Sequence, residues 1–403
     1  MPGESMNKVA LTPDFDTYPV TETIRSATTD GRILTLEWSD GLTGRYHAIW
    51  LRMNSCDPET FNLDTREITR SPLDLPAEVR IEQVSVRSDG AVGLVFQPEG
   101  HAALFDPGWL RLHDYSNGGR RDDAAVAKVL WTTAECPEPP TFDGAGILDD
   151  DATFTAFLTA VASHGLARLR NAPADPDFAE RFASRIGVIR DNNFGRIWNV
   201  RVEPGSGSNA YTALELAPHV DLATREYQPG LQILHCVENS TRGGRAMMID
   251  GFRVAEDLRT EAPAAFHLLT TVPWHMSNRA ADSDYRWNSP AIVLDQARRV
   301  AEIRSIYFLR GPLNAPFDLV EDLYAADRLL HEKLLDPRYR MLFDYLPGDL
   351  MLFDNRRILH GREAFDAAEG RRWLRGCYLE REELESALRM AARRVRAGAA
   401  TGT

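Results

Sequence analysis

From Arg32 to about Tyr115 the chain reads as short strands closed by turns. Ile33, Leu34, Leu36 and Trp38 lead into Ser39-Asp40-Gly41. The run Val84-Ser85-Val86 is separated from Val92 to Phe96 by Ser88-Asp89-Gly90, an Asp-Gly turn signal between β-rich segments. Residues 1–115 are therefore expected to form a small β-rich domain. A polar stretch from Ser116 to Asp123 and then Cys136-Pro137-Glu138-Pro139-Pro140 punctuate the chain as an exposed connection would, which predicts a linker over 116–140. Beyond it, Phe154, Phe157, Leu158 and Val161 recur at helical spacing within Asp151 to Ser163, and Asp177 to Ile186 reads as a second helix. The texture then changes to short apolar runs bounded by Gly, Pro or Asn: Leu231 to Val237, Met247 to Ile249 and Leu350 to Phe353. These favour strands of a buried sheet, interrupted by helices over Arg253 to Thr271 and Phe317 to Leu335. Strands with inserted helices and no regular βαβ alternation predict a mainly β domain over 141–390, an antiparallel barrel or sandwich decorated by helices, with a short tail over 391–403.

Composition narrows the partners. The 403 residues are 43% hydrophobic and 26% charged, an ordinary globular balance, and the formal net charge is −13. An acidic chain repels phosphate backbones and anionic lipid surfaces, so neither nucleic acid nor membrane is an expected partner. Cys56, Cys136, Cys236 and Cys377 stand singly with no CxxC spacing, which argues against a disulfide framework and a self-contained zinc cluster and fits a reducing cytoplasm. The first residues, MPGESMNKVALTPDFDTYPV, lack the features of a secretory signal, and no run of 18 apolar residues occurs.

The sharpest chemical signal is Pro218-His219-Val220-Asp221. Residues two apart on a strand share a face, so His219 and Asp221 can present an imidazole and a carboxylate to one point, and no other histidine of the ten is followed two positions on by Asp. His360, after the apolar run and before Gly361, is the candidate third ligand. Two histidines and a carboxylate on one face of an octahedron leave three positions open, the arrangement suited to non-haem Fe(II) that binds a cosubstrate and then dioxygen. Arg372 opens the strand-like run Arg372-Trp373-Leu374-Arg375-Gly376-Cys377-Tyr378. A strand pairing antiparallel with the one near His360 would carry this guanidinium back toward the metal, where it matches a dicarboxylate cosubstrate.

These residues carry a resemblance. The chain resembles the γ-butyrobetaine hydroxylase group of the taurine dioxygenase-like Fe(II)/2-oxoglutarate oxygenases and is especially similar to the bacterial form. The likeness runs from Tyr46-His47-Ala48-Ile49-Trp50-Leu51-Arg52 through Ser208-Asn209-Ala210-Tyr211-Thr212 and Gln228-Pro229-Gly230-Leu231-Gln232 to Phe353-Asp354-Asn355-Arg356-Arg357. It implies a double-stranded β-helix (jelly-roll) catalytic domain, Fe(II) held by His219, Asp221 and His360, and 2-oxoglutarate held by Arg372. Family chemistry couples O2-dependent decarboxylation of 2-oxoglutarate to hydroxylation of an unactivated C–H bond. Asp221 argues against the halogenating relatives, which leave that coordination position free. One departure is Gly243-Gly244-Arg245-Ala246: members often have Ser or Thr where Ala246 stands, so Arg372 is expected to act with other donors.

The same resemblance implies a cage for a trimethylammonium group at Phe194, Trp198, Tyr211 and Tyr378. A quaternary ammonium has no donors to offer and is recognised by ring faces. At the substrate's anionic end, Tyr307 and Ser208 stand where members have Asn, and Arg286 and Asn288 are nearby candidates. The expected substrate is thus a small trimethylammonium zwitterion, either γ-butyrobetaine or 2-(trimethylammonio)ethylphosphonate, with trimethyllysine or another small amine acid as the alternative. In relatives the N-terminal domain binds zinc through three Cys and a His; here only Cys56 and His101 correspond, so no zinc is expected. Related enzymes are dimers, which implies a homodimer. A non-catalytic quaternary-ammonium binding protein is disfavoured because His219, Asp221, His360 and Arg372 occur together, and a metal hydrolase is disfavoured by Arg372 and its strand context.

Overall fold

The computed structural model describes residues 10–16, 18–117, 126–202, 212–280 and 283–401, with side chains to 395. It divides into two compact units, 1–125 with 395–403, and 126–394. In the first, strands Ile24–Thr29, Ile33–Trp38 and Thr43–His47 form one antiparallel meander, and Arg80–Val86, Val92–Gln97 and His101–Phe105 form another. Leu34, Leu36, Trp38 and Tyr46 point into a shared core with Val92, Leu94 and Phe96. Both predicted hairpin turns form. Gly41 and Gly90 sit at φ +89° and +88°, where a side chain would be strained.

In the second unit the chain passes repeatedly between two sheets. The larger orders its strands Trp198–Val200, Arg372–Leu379, Leu231–Asn239, Leu350–Asp354, Leu166–Arg170 and Thr141–Asp143; the smaller orders Leu216–His219, Ile358–Arg362, Ala246–Asp250 and Met341–Phe343. The apolar runs are continuous because both faces are covered. Leu231, Ile233, Leu350 and Leu352 face helices Asp151–His164 and Phe178–Ile186. Met247, Ile249 and Leu359 face helices Gly251–Glu261, Pro263–Thr271 and Val320–Leu335. The alternate residues Leu234, Cys236, Met248, Met351 and Phe353 meet between the sheets. Burying one such side chain contributes about 1.5–3 kcal/mol, so the three layers hold the sheets at fixed separation.

Several expectations are revised. The helix read as Arg253 to Thr271 is two, because Ala262 precedes Pro263 and takes φ −143°, ψ 66°, outside the helical region that a following proline disfavours. Residues 126–140, expected as exposed linker, pack into the second unit: Trp131 is buried and its indole donates to the His164 carbonyl at 2.8 Å. The C-terminal tail is helical through Thr401. The Arg372 strand does not pair with the His360 strand; it lies in the opposite sheet, between Trp198–Val200 and Leu231–Asn239. Among the described residues no helix is long and apolar enough to cross a membrane.

Candidate metal centre and its pocket

His219 is the last residue of its strand and lies directly opposite His360 in the antiparallel register of the smaller sheet, with ring centroids 4.3 Å apart. Asp221 lies past the strand end, so a shared strand face is not what brings it to His219. The chain reverses at Leu222, a non-glycine residue at φ +54°, and Asn355 clamps the turn. The Asn355 side-chain Oδ1 accepts from the Asp221 N–H at 2.8 Å, and its Nδ2 donates to the Asp221 backbone carbonyl at 3.0 Å. Asp221 Oδ1 is thereby set 3.3 Å from His219 Nε2 and 3.7 Å from His360 Nε2. One ligand atom from each of the three lies within 4.8 Å of the others.

The protonation states suit a metal. Burial would raise the Asp221 carboxyl, but His360 and His219 outweigh it and hold it well below the usual carboxylate range. Burial, with His219 alongside, pushes His360 down to about 3, so its imidazole is neutral and its lone pair free. His219 Nδ1 bonds the Ala217 carbonyl at 2.9 Å, leaving Nε2 for a ligand position. Two imidazoles and one carboxylate converging from one side fit Fe(II) with open positions opposite.

Arg372 begins its strand and is 9% exposed, yet it has no ion pair among the described residues, and its Nε has no hydrogen-bond partner. Its guanidinium lies 5.8 Å from the Phe365 ring centroid, and a buried guanidinium without a counter-charge is costly, so the group is suited to receive an anion. Beside it Arg362 is 5% exposed and donates to the carbonyls of Thr212 and Leu214 at 2.6 and 2.8 Å. Burial and the charge of Arg372 lower the Arg362 guanidinium to about 10. The sequence reading missed Arg362 and Asn355, although Asn355 stood in a stretch already singled out.

Trp198 pairs with Gly376 across the sheet, and its ring occupies the space a side chain at 376 would need. Its centroid is 5.2 Å from that of Tyr378, whose hydroxyl donates to Asp221 Oδ2 at 2.7 Å. Tyr378 therefore touches both the expected cage and the carboxylate ligand. Phe194 is 39% exposed on a turn where its N–H bonds the Asn192 side chain. Tyr211 and Ser208 lie outside the described residues. Tyr307 is 52% exposed and packs on His331, whereas its neighbour Phe308, unremarked in the sequence, meets His219 edge-on at 5.4 Å. Arg286 pairs with Asp284 and Asn288 bonds His275 Nδ1 at 2.8 Å, so both are engaged on the 274–289 hairpin. In the N-terminal unit, Cys56 is buried and His101 Nε2 is bound to Asp57 at 2.9 Å.

The chain has relatives among known proteins. Residues 132–378 match the family described as Taurine catabolism dioxygenase TauD, TfdA family, and residues 25–111 match Gamma-butyrobetaine hydroxylase-like, N-terminal. The chain is 38% identical over 375 residues to a gamma-butyrobetaine dioxygenase of Pseudomonas sp. (strain AK-1), covering 93% of this chain and 97% of the relative. It is 29% identical over 363 residues to the mitochondrial trimethyllysine dioxygenase of Rattus norvegicus, covering 86% and 82%. Among solved structures, an asparagine oxygenase in complex with Fe(II), a hydroxyasparagine and succinate aligns at TM-score 0.47 and 17% identity, over 59% of this chain and 79% of that one. A taurine dioxygenase from Burkholderia xenovorans aligns at 0.47 and 14%, over 63% and 90%.

Proposed function

The chain belongs to the TauD, TfdA dioxygenase family, and from that premise we propose that it hydroxylates γ-butyrobetaine or a close trimethylammonium carboxylate, within a double-stranded β-helix formed by the two sheets. It is an Fe(II)- and 2-oxoglutarate-dependent dioxygenase. When bound by His219, Asp221 and His360, iron with 2-oxoglutarate and O2 supplies the oxidising power; the chain's own part is positioning and exclusion of water. Tyr378 holds the second oxygen of Asp221 by its hydroxyl while its ring and that of Trp198 offer faces to the quaternary ammonium. Arg372 takes the distal carboxylate of the keto acid, and Leu222, Met248, Met351 and Phe353 give the interior an apolar lining.

The Trp198–Tyr378 pair tied to Asp221 carries this reading, because it sets a cation-binding ring beside an iron ligand. Anaerobic Fe(II) and 2-oxoglutarate should give a weak visible charge-transfer band. Turnover of γ-butyrobetaine, its phosphonate counterpart and trimethyllysine is then scored by succinate release with gain of one oxygen in the product. γ-Butyrobetaine is expected to react best, and a dimethylamino analogue to fall about tenfold in kcat/KM, the scale of one desolvated cation–π contact. Equal rates for dimethylated and trimethylated compounds would remove the cage.

Gly376→Ala tests the same pair separately. Its Cβ would overlap the Trp198 ring, which must move at a cost of about 1–3 kcal/mol. The expected result is a KM for substrate raised roughly tenfold or more, with the iron content unchanged. An unaltered KM would show that Trp198 does not bind substrate.

A further inference from the structure

Arg372 alone does not satisfy a bound dicarboxylate. A carboxylate has about four lone-pair sites and a guanidinium offers it two parallel donors, so a buried carboxylate needs a further donor. Ala246, the first residue of its strand and the register partner of Arg362, supplies only a methyl group. Tyr345 carries the hydroxyl that Ala246 lacks. It is 3% exposed, and its hydroxyl is buried without any hydrogen-bond partner among the described residues, which is costly for a polar group. It lies two residues past Phe343, the register partner of Ala246, with the two rings edge to face at 5.3 Å. Asn239, the register partner of Arg372, donates to the Tyr345 carbonyl at 2.8 Å. Tyr345, Ala246, Phe343 and Cys236 share the core between the sheets. Arg362 is near, but its Nη2 is already committed to two carbonyls.

We propose that the Tyr345 hydroxyl donates to the distal carboxylate of the keto-acid cosubstrate beside Arg372, in the place where Ala246 provides no donor, and so selects a dicarboxylate over a monocarboxylate keto acid. This rests on the reading that Arg372 holds that carboxylate. The hydroxyl's protonation is consistent: burial pushes it up, so it remains a donor. Arg372 and Tyr345 each influence the other's ionisation, as Arg372 does that of Arg362, which fits side chains that lie close together.

The test is anaerobic titration of Fe(II)-loaded protein, followed by the charge-transfer band, with 2-oxoglutarate and with 2-oxopentanoate, which has the same chain length without the distal carboxylate. Tyr345→Phe is expected to weaken 2-oxoglutarate about tenfold, as for loss of a hydrogen bond to a charged group, and to leave 2-oxopentanoate within about twofold. Tyr345→Phe combined with Ala246→Ser should recover most of the loss, because the serine hydroxyl enters from the adjacent strand. The melting temperature of the ligand-free variant should not fall, since an unpartnered buried hydroxyl is being removed, whereas the upward shift produced by 2-oxoglutarate should shrink. Unchanged 2-oxoglutarate binding, or equal weakening of both keto acids, would overturn the proposal while leaving the iron site intact. A wild-type protein with full iron and no band with either acid would instead overturn the reading beneath it.

Discussion

Asp221→Ala is expected to remove both stable iron binding and turnover. The carboxylate is the only anionic member of the triad and the atom both imidazoles approach, 3.3 Å from His219 Nε2 and 3.7 Å from His360 Nε2. Without it two histidines face each other at 4.3 Å between ring centroids, a two-donor site with no anion to offset a divalent ion. Groups that only orient metal ligands cost about 10- to 100-fold in affinity or activity when removed, so loss of the ligand itself should exceed about 100-fold. Tyr378→Phe calibrates the scale, because it deletes one hydrogen bond to Asp221 Oδ2 and leaves the ligand in place; its cost should fall within that about 10- to 100-fold range. Iron retained per chain after desalting and succinate formed per minute are the measurements, with circular dichroism to show that Asp221→Ala is folded. If that variant kept wild-type iron and wild-type rates, the metal would have to lie elsewhere.

The chemistry of this site was more legible in the sequence than its construction. Residue types, their spacing and the family resemblance picked out His219, Asp221, His360 and Arg372, because few side chains can bind a hard divalent metal and a carboxylate, and the structure brings the first three together. The reasons differ from those the spacing offered. An i, i+2 rule on a strand was meant to pair His219 with Asp221, yet Asp221 lies in a turn clamped by Asn355, 134 residues away in sequence. Likewise Arg372 was assigned to a strand beside His360, whereas it lies in the facing sheet. Periodicity tells which face of a strand is buried but says nothing about which strand becomes its neighbour. Asn355 and Tyr345 were illegible for the same reason: their roles exist only once distant segments meet. Local signals fared differently. The Asp-Gly hairpin turn, the strands with both faces covered and the helix beginning at Asp151 were all readable, and the break at Pro263 was present in the sequence to be read.

Arg357→Met is expected to destabilise the second unit by about 3–5 kcal/mol, the cost of stranding one member of a buried ion pair. Arg357 and Asp250 are essentially inaccessible and meet at 3.0 Å through Nε and 2.8 Å through Nη2. Asp250 also accepts from the Phe252 N–H at 3.1 Å, capping helix Gly251–Glu261, and from the Trp131 N–H at 3.2 Å. Arg357 in turn donates to the carbonyls of Ser163 and Val129. Removing the guanidinium leaves a carboxylate charged and buried with two neutral donors and takes the donor from the Val129 carbonyl, whereas the Ser163 carbonyl keeps the Val129 N–H at 2.9 Å. At about 2–4 °C per kcal/mol for a domain near this size, melting should fall by roughly 10 °C. The double variant Arg357→Met, Asp250→Asn should be more stable than Arg357→Met alone, because the asparagine oxygen still accepts from the helix cap and no charge is stranded; the reverse order would mean that the pair's charge is not what matters. The consequence reaches the metal. Arg357 immediately precedes the strand Ile358–Arg362 that carries His360, and its carbonyl accepts from the Gly251 N–H at 3.0 Å, so loosening this joint lets the third ligand drift. Iron affinity of Arg357→Met should therefore weaken on warming well below its melting temperature, while that of Gly376→Ala, whose disturbance lies in the other sheet, should follow the wild type.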